Sequence, residues 1–380
     1  TFDVFTDGQA AVQVQQGVAR VVGRIAAIEL SEVQTDGDLR GFVINGVSSG
    51  GKSGFSVSSA GDVNGDGFDD IIIGAPYVDE ASSFKGASYV VFGGSTGTAV
   101  ELSNLANLGS GGFVINGEAN FDQSGRSVSG AGDVNGDGLD DILIGAPFST
   151  RSVGDSGASY VVFGKNDNVT IDLQSIVSDS DEFGFVITGN FEDKYLGYSV
   201  SSLGDVNADG YDDIIVGSVD EKASSDSAGT SYVVFGKANG RAVNLSDVEA
   251  GTSGFVINGL AAGNYSLVTS VSGAGDVNGD SIPDLIIGVD QYDQNGKTDS
   301  GASFVVFGKT DGTAVDLSAI EAGSGGFVIN GVSNNDFSGV SVSNAGDVNG
   351  DGFDDLIIGA WGDDPNGASS GASFVVFGKT

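Results

Sequence analysis

The 380-residue chain contains no cysteine, no histidine and no methionine, and only 4 prolines and 1 tryptophan. Each absence removes a class of chemistry. Without imidazole or thiol there is no Ser-His-Asp triad, no cysteine nucleophile and no His/Cys zinc site. Without cysteine no disulfide framework can report a redox compartment. Basic residues are scarce as well: 15 Lys and Arg against 52 Asp and Glu leave a formal charge of −37. That balance argues against a nucleic-acid groove or an anionic membrane surface and makes cations the natural partners. No apolar run reaches the roughly 18 residues a transmembrane helix needs, so no membrane insertion is expected. The chain opens at Thr1 with no signal-peptide pattern, as a processed protein or an excised region would.

Glycine is what the chain has in excess, with 64 residues, alongside a hydrophobic fraction of 39%. Much glycine with little proline fits an ordered, turn-rich β protein better than a disordered linker. Several of those glycines fall in Gly61-Asp62-Val63-Asn64-Gly65-Asp66-Gly67-Phe68-Asp69-Asp70, which leads into the apolar run Ile71-Ile72-Ile73. Side-chain oxygens recur at alternate positions through Asp62, Asn64 and Asp66, and Asp70 closes the set. A hard cation takes roughly 6 to 8 oxygens, and a short loop turning at Gly67 supplies them from this spacing, with the Phe68 backbone carbonyl as a further donor. One such loop could be an ordinary acidic turn. The chain has five.

The second loop offers Asp133, Asn135, Asp137, the Leu139 carbonyl and Asp141, and the third offers Asp205, Asn207, Asp209, the Tyr211 carbonyl and Asp213. The fourth offers Asp276, Asn278, Asp280, the Ile282 carbonyl and Asp284, and the fifth Asp347, Asn349, Asp351, the Phe353 carbonyl and Asp355. Four to five Ca²⁺ ions are therefore expected. The fourth loop is the doubtful one, because Ser281 replaces the turn glycine and Pro283 precedes Asp284. Asp69, beside the ligand Asp70, is expected to cap its loop or face solvent, and Asp363 and Asp364 to sit in a solvated turn.

The loops belong to a unit of about 71 residues, marked by valines at 57, 128, 200, 271 and 342. Such a period points to a propeller or array. Each unit carries GFVING or GFVITG, an SVS run, the acidic loop, a run such as IIIG, and SYVVFG or SFVVFG. Four strands rich in Val, Ile, Phe and Tyr are expected per unit, with no helical periodicity of useful length. Two of the four runs are continuously apolar, which in an antiparallel sheet means burial on both faces. Four-stranded blades stacked radially provide that environment.

Phe92-Gly93 with Gly74-Ala75-Pro76, and Phe163-Gly164 with Gly145-Ala146-Pro147, flank the acidic loops. In these features residues 26–380 resemble FG-GAP repeats, the family that builds the integrin alpha-subunit propeller. The resemblance implies an all-β fold, a β-propeller with calcium in the hairpin between the first and second strands of each blade. The third, fourth and fifth units depart from it, with Gly217-Ser218-Val219, Gly288-Val289-Asp290 and Gly359-Ala360-Trp361 in place of Gly-Ala-Pro. Residues 1–25 read as an N-terminal extension with three short strands. Two architectures fit. In one, five blades close when residues 41–46 pair with the C-terminal strands; in the other, residues 1–46 form a degenerate sixth blade.

The reading of function is a calcium-stabilised, non-catalytic scaffold or adhesion module, extracellular or at a cell surface, because such sites fill where calcium is near millimolar. Its partner would be a protein or copies of itself, with strand exchange through the N-terminal extension. The alternative is a calcium-dependent lectin taking glycans, for which a once-per-repeat exposed aromatic would speak; Trp361 has Pro76, Pro147, Val219 and Asp290 at the aligned positions. An enzyme would have to rely on pairs such as Asp69/Asp70 or Asp363/Asp364.

Overall fold

The computed structural model describes residues 3–6, 10–15, 18–23, 30, 41–78, 83–94, 99–108, 111–152, 154–176, 182–190, 194–219, 229–260, 268–293 and 296–379. The chain divides into two compact units: Thr1–Asn45 with Ser95–Glu101, and Gly46–Gly94 with Leu102–Thr380. In the first unit the three short strands expected at the N-terminus form. Asp3–Thr6, Ala10–Gln15 and Val18–Gly23 make an antiparallel meander, with Val4 opposite Val12 and Val12 opposite Val21. The same unit holds a short parallel bridge, Ile44 beside Val100 and Asn45 beside Glu101.

The second unit is a β-propeller array of five antiparallel sheets, one per repeat. The first blade runs Ser56–Gly61, Asp70–Ala75, Ala87–Val91 and Gly112–Asn116. The second has Ser127–Gly132, Asp141–Ala146, Ala158–Val162 and Gly184–Thr188. The third and fourth repeat this order, ending at Gly254–Asn258 and Gly326–Asn330. Among the described residues the fifth has three strands, Ser341–Gly346, Asp355–Ala360 and Ala372–Val376.

The apolar runs are explained by where the core sits. It lies between sheets. Ile142 and Ile144 of the second blade pack against Phe113 and Ile115 of the first, whereas Leu143 and Val161 face Val200, Ile214 and Val216 of the third. Alternation along each strand survives, but both of its faces are apolar, so the sequence reads as an unbroken run. Among the described residues the pattern breaks in the fifth blade: Val161 is fully buried, while its counterpart Val375 is 48% exposed.

The linkers between repeats, where no helical period of useful length is visible in the sequence, hold short helices. Leu102–Leu108, Leu173–Ile176, Leu245–Glu249 and Leu317–Glu321 form short helices. In the last three, pairs spaced by three residues are buried: Leu173 with Ile176, Leu245 with Val248, and Leu317 with Ile320. Tertiary burial stabilises turns too short to hold in isolation. Before each of the last three helices a two-residue strand pairs in parallel with the preceding outer strand, as Ile171 does with Ile115.

Candidate calcium loops

Every acidic loop is the hairpin between the first and second strands of its blade. A β-bulge sets each one off: in the first blade the register shifts between Ser59 and Gly61, leaving Gly61 opposite Asp70. The same shift recurs in the other four. Bulges turn a strand more sharply and re-aim its side chains. Here the chain enters the loop pointing back on itself.

Inside the loop the first aspartate organises the turn. Asp62 Oδ1 accepts from the N–H groups of Gly65 at 2.8 Å and Asp66 at 3.0 Å, and Oδ2 accepts from Gly67 at 2.8 Å. Asn64 Oδ1 accepts from Asp66 N–H at 2.8 Å, and Asp66 Oδ1 from Phe68 N–H at 2.9 Å. Asp133, Asp276 and Asp347 repeat the Asp62 arrangement, and Asp205 repeats the bonds from its fourth and fifth followers. Ser281 takes the left-handed conformation of the missing glycine, φ 68°, and its N–H still donates to Asp276 Oδ2 at 2.9 Å. The fourth loop therefore keeps the shape of the others.

Closing aspartates are buried in all five repeats: Asp70, Asp141, Asp213, Asp284 and Asp355. Asp70 accepts from Val63 N–H at 3.1 Å and from Gly93 N–H at 2.7 Å. Gly93 is the glycine of the Phe-Gly pair, and its counterparts Gly164, Gly236, Gly308 and Gly378 do the same. A Cβ at Gly93 would lie 2.3 Å from the Asp69 carbonyl oxygen, so only glycine brings its N–H this close. Sequence reasoning passed over this role, although the invariable Phe-Gly after the third strand was its visible trace.

Burial is also the main cause of the shifted carboxyls. It pushes Asp70 and Asp284 up to about 6, Asp213 to about 7 and Asp141 to about 8. The N–H donors pull these values down, and the other carboxylates of the same loop push them up again. No basic side chain is among these causes. An all-oxygen donor set with unbalanced negative charge fits a hard divalent cation. Among the described residues no three acidic side chains lie close enough together to hold an ion as they stand. Their oxygens turn to the loop's own N–H groups.

Five segments, residues 53–91, 124–162, 196–234, 268–306 and 338–376, match the family model described as FG-GAP repeat and cover just over half of the chain. The chain belongs to the FG-GAP repeat family. Each matched segment of this FG-GAP chain runs from the approach to the first strand through the loop to the end of the third strand. Among curated proteins it is 30% identical to integrin alpha-3 of Cricetulus griseus over 52% of the chain and 17% of that protein. It is 31% identical to integrin alpha pat-2 of Caenorhabditis elegans over 61% of the chain and 17% of that protein. With integrin alpha-7 of Mus musculus it shares 33% identity over 45% of the chain and 13% of that protein. The chain thus spans about a sixth of the length of these relatives.

The remaining candidates stay apart from the loops. Trp361 stacks on Phe337, with centroids 4.8 Å apart and planes 5° from parallel. Asp363 and Asp364 sit in the turn that follows, where the Asp363 carbonyl accepts from Gly371 N–H at 2.8 Å. Asp364 is exposed in that turn, and in the first loop so is Asp69, as expected. Its counterparts Asp140, Asp212 and Asp354 reach the neighbouring blade instead.

Proposed function

We propose that this FG-GAP chain is a calcium-stabilised, non-catalytic adhesion module that works outside the cell by binding another protein. One observation carries the reading: five times, the same hairpin carries three aspartates, an asparagine and a backbone carbonyl at the spacing of a calcium loop and buries the last carboxylate. The proposed ligands are the side chains of Asp62, Asn64, Asp66 and Asp70 with the Phe68 carbonyl, and the corresponding residues of the other four loops. Calcium supplies the counter-charge, and its binding energy becomes folding energy. Similarity to integrin alpha subunits supports the adhesion part, and the lack of imidazole and thiol supports a non-catalytic one.

We also propose that residues 41–46 supply the outer strand of the fifth blade. Their sequence, Gly-Phe-Val-Ile-Asn-Gly, is identical to the outer strand and following glycine at 326–331. Phe307 packs at a tilt against Phe327, centroids 6.1 Å apart, in the fourth blade, while the counterpart of Phe307, Phe377, is 56% exposed.

The test of the calcium reading is a thermal melt in millimolar calcium and in chelator, with native mass spectrometry to count ions. Four or five ions and a melting temperature raised by 10 °C or more are expected, which for 380 residues corresponds to about 8 kcal/mol, or roughly 2 kcal/mol from each ion. No bound ions and no shift would leave the loops as plain turns.

A further inference from the structure

Where consecutive blades meet, the end of one loop is tied to the start of the loop before it. Asp62 N–H donates to Asp140 Oδ2 at 2.7 Å, and Asp140 N–H returns a bond to the Asp62 carbonyl at 3.2 Å. Asp133 and Asp212 repeat the pair at 2.9 and 3.1 Å, and Asp276 and Asp354 at 2.9 and 3.2 Å. A third bond accompanies each pair: Lys165 N–H to the Val63 carbonyl at 2.7 Å, Lys237 to Val134 at 2.7 Å, and Lys379 to Val277 at 2.9 Å. The glycines before the loops make room for the link. A Cβ on Gly61, Gly132 or Gly275 would lie 2.1 Å from the carboxylate of Asp140, Asp212 or Asp354.

Between the third and fourth blades the link is missing. Pro283 stands where the aspartate should, and it has neither a carboxylate nor an N–H. Among the described residues no bond of either kind joins Asp205 or Val206 to the fourth blade, and a Cβ on Gly204 would meet only Pro283, at 3.6 Å. The blades still pack there, through Ile215, Val233, Val271 and Leu285 and through Lys309 over the Phe255 ring. Only the connection between the loops is gone.

We infer that Asp140, Asp212 and Asp354 are positioning residues that couple neighbouring calcium loops, so that the loops fill in two blocks, the first three together and the last two together, with Pro283 as the break. The inference rests on the calcium reading. Its physical basis is sequence adjacency: Asp140 lies between the Leu139 carbonyl and Asp141, both proposed ligands of the second loop, and its other bond is to Asp62, a proposed ligand of the first. An ion that fixes Asp62 therefore holds the backbone of residues 139–141 in place for the next ion. Coupling of this kind is reciprocal.

Hydrogen exchange across a calcium titration of the full chain, read peptide by peptide, gives a midpoint for each loop. Loops one to three are expected to gain protection at one calcium concentration and loops four and five at another. Asp212→Ala should raise the midpoint of the third loop about threefold to tenfold, as loss of the hydrogen bond its carboxylate accepts implies, and leave loops four and five unmoved. Asp212→Asn, which keeps an acceptor oxygen, should recover much of the shift. Pro283→Asp restores both the carboxylate and the N–H and should merge the two blocks. Five independent midpoints, untouched by Asp212→Ala and Pro283→Asp, overturn the coupling while leaving calcium binding in place. A shift spread evenly over all five loops in Asp212→Ala overturns it too, since Asp212 would then be a general support. Absence of protection at every loop removes the calcium reading and the coupling together.

Discussion

Asp141 is fully buried at the base of its loop, and burial pushes its carboxyl up to about 8. A raised folded value means that the native state holds the proton more tightly than the unfolded chain does. Without metal, the contribution of this group is complete below the unfolded value near 4 and is lost as pH rises toward 8. Asp70, Asp213 and Asp284 act in the same direction over narrower windows. In chelator the melting temperature should therefore fall between pH 5 and pH 8, and Asp141→Asn should flatten the fall. Millimolar calcium should flatten it as well, because the ion stabilises the ionised carboxylates. A level profile in chelator would count against buried, unpaired carboxylates. Two backbone positions give sharper tests. Ser281 sits at φ 68°, and Ser281→Gly should stabilise the protein by about 1 kcal/mol in chemical denaturation. Gly132→Ala should cost more than about 2 kcal/mol, because the new methyl meets the Asp212 carboxylate; a neutral result would mean the blades do not approach as closely as described.

At the scale of the elements, hairpins and apolar strands were legible because their signals are local. The alternate oxygens of Asp62, Asn64 and Asp66 lie within one turn, and the two-sided burial of Ile142, Leu143 and Ile144 shows in the run itself. What escaped the sequence is short or distant. Leu173 and Ile176 make a single buried pair, too brief to display a helical period. The bond from Asp62 to Asp140 spans 78 residues, and nothing near Asp140 separates a bridging aspartate from one facing water. Only the replacement of that residue by Pro283 in one repeat hinted that the position had a task. Since Phe163 packs edge-on against Phe185 with centroids 6.2 Å apart, Phe163→Ala should cost about 3 to 5 kcal/mol in denaturant unfolding. A cost below about 1 kcal/mol would show that the Phe-Gly aromatic is not part of the blade's core.

For the whole molecule, the same measurement at the last repeat decides how the array ends. If residues 41–46 complete the fifth blade, Phe377→Ala should cost nearly as much as Phe163→Ala, and removing residues 1–46 should lower the melting temperature and promote self-association seen by light scattering. A negligible cost and an unchanged, monomeric truncation would leave the fifth blade with three strands. An uncovered strand edge is a known route to association. The placement of the cores between sheets bears equally on how the chain is made. As each repeat leaves the ribosome, one of its oily faces has to wait for a further stretch of about 71 residues before it is covered. The nascent protein carries that sticky face forward with every repeat completed, so a pause in translation at a blade boundary is the moment when it most needs a chaperone.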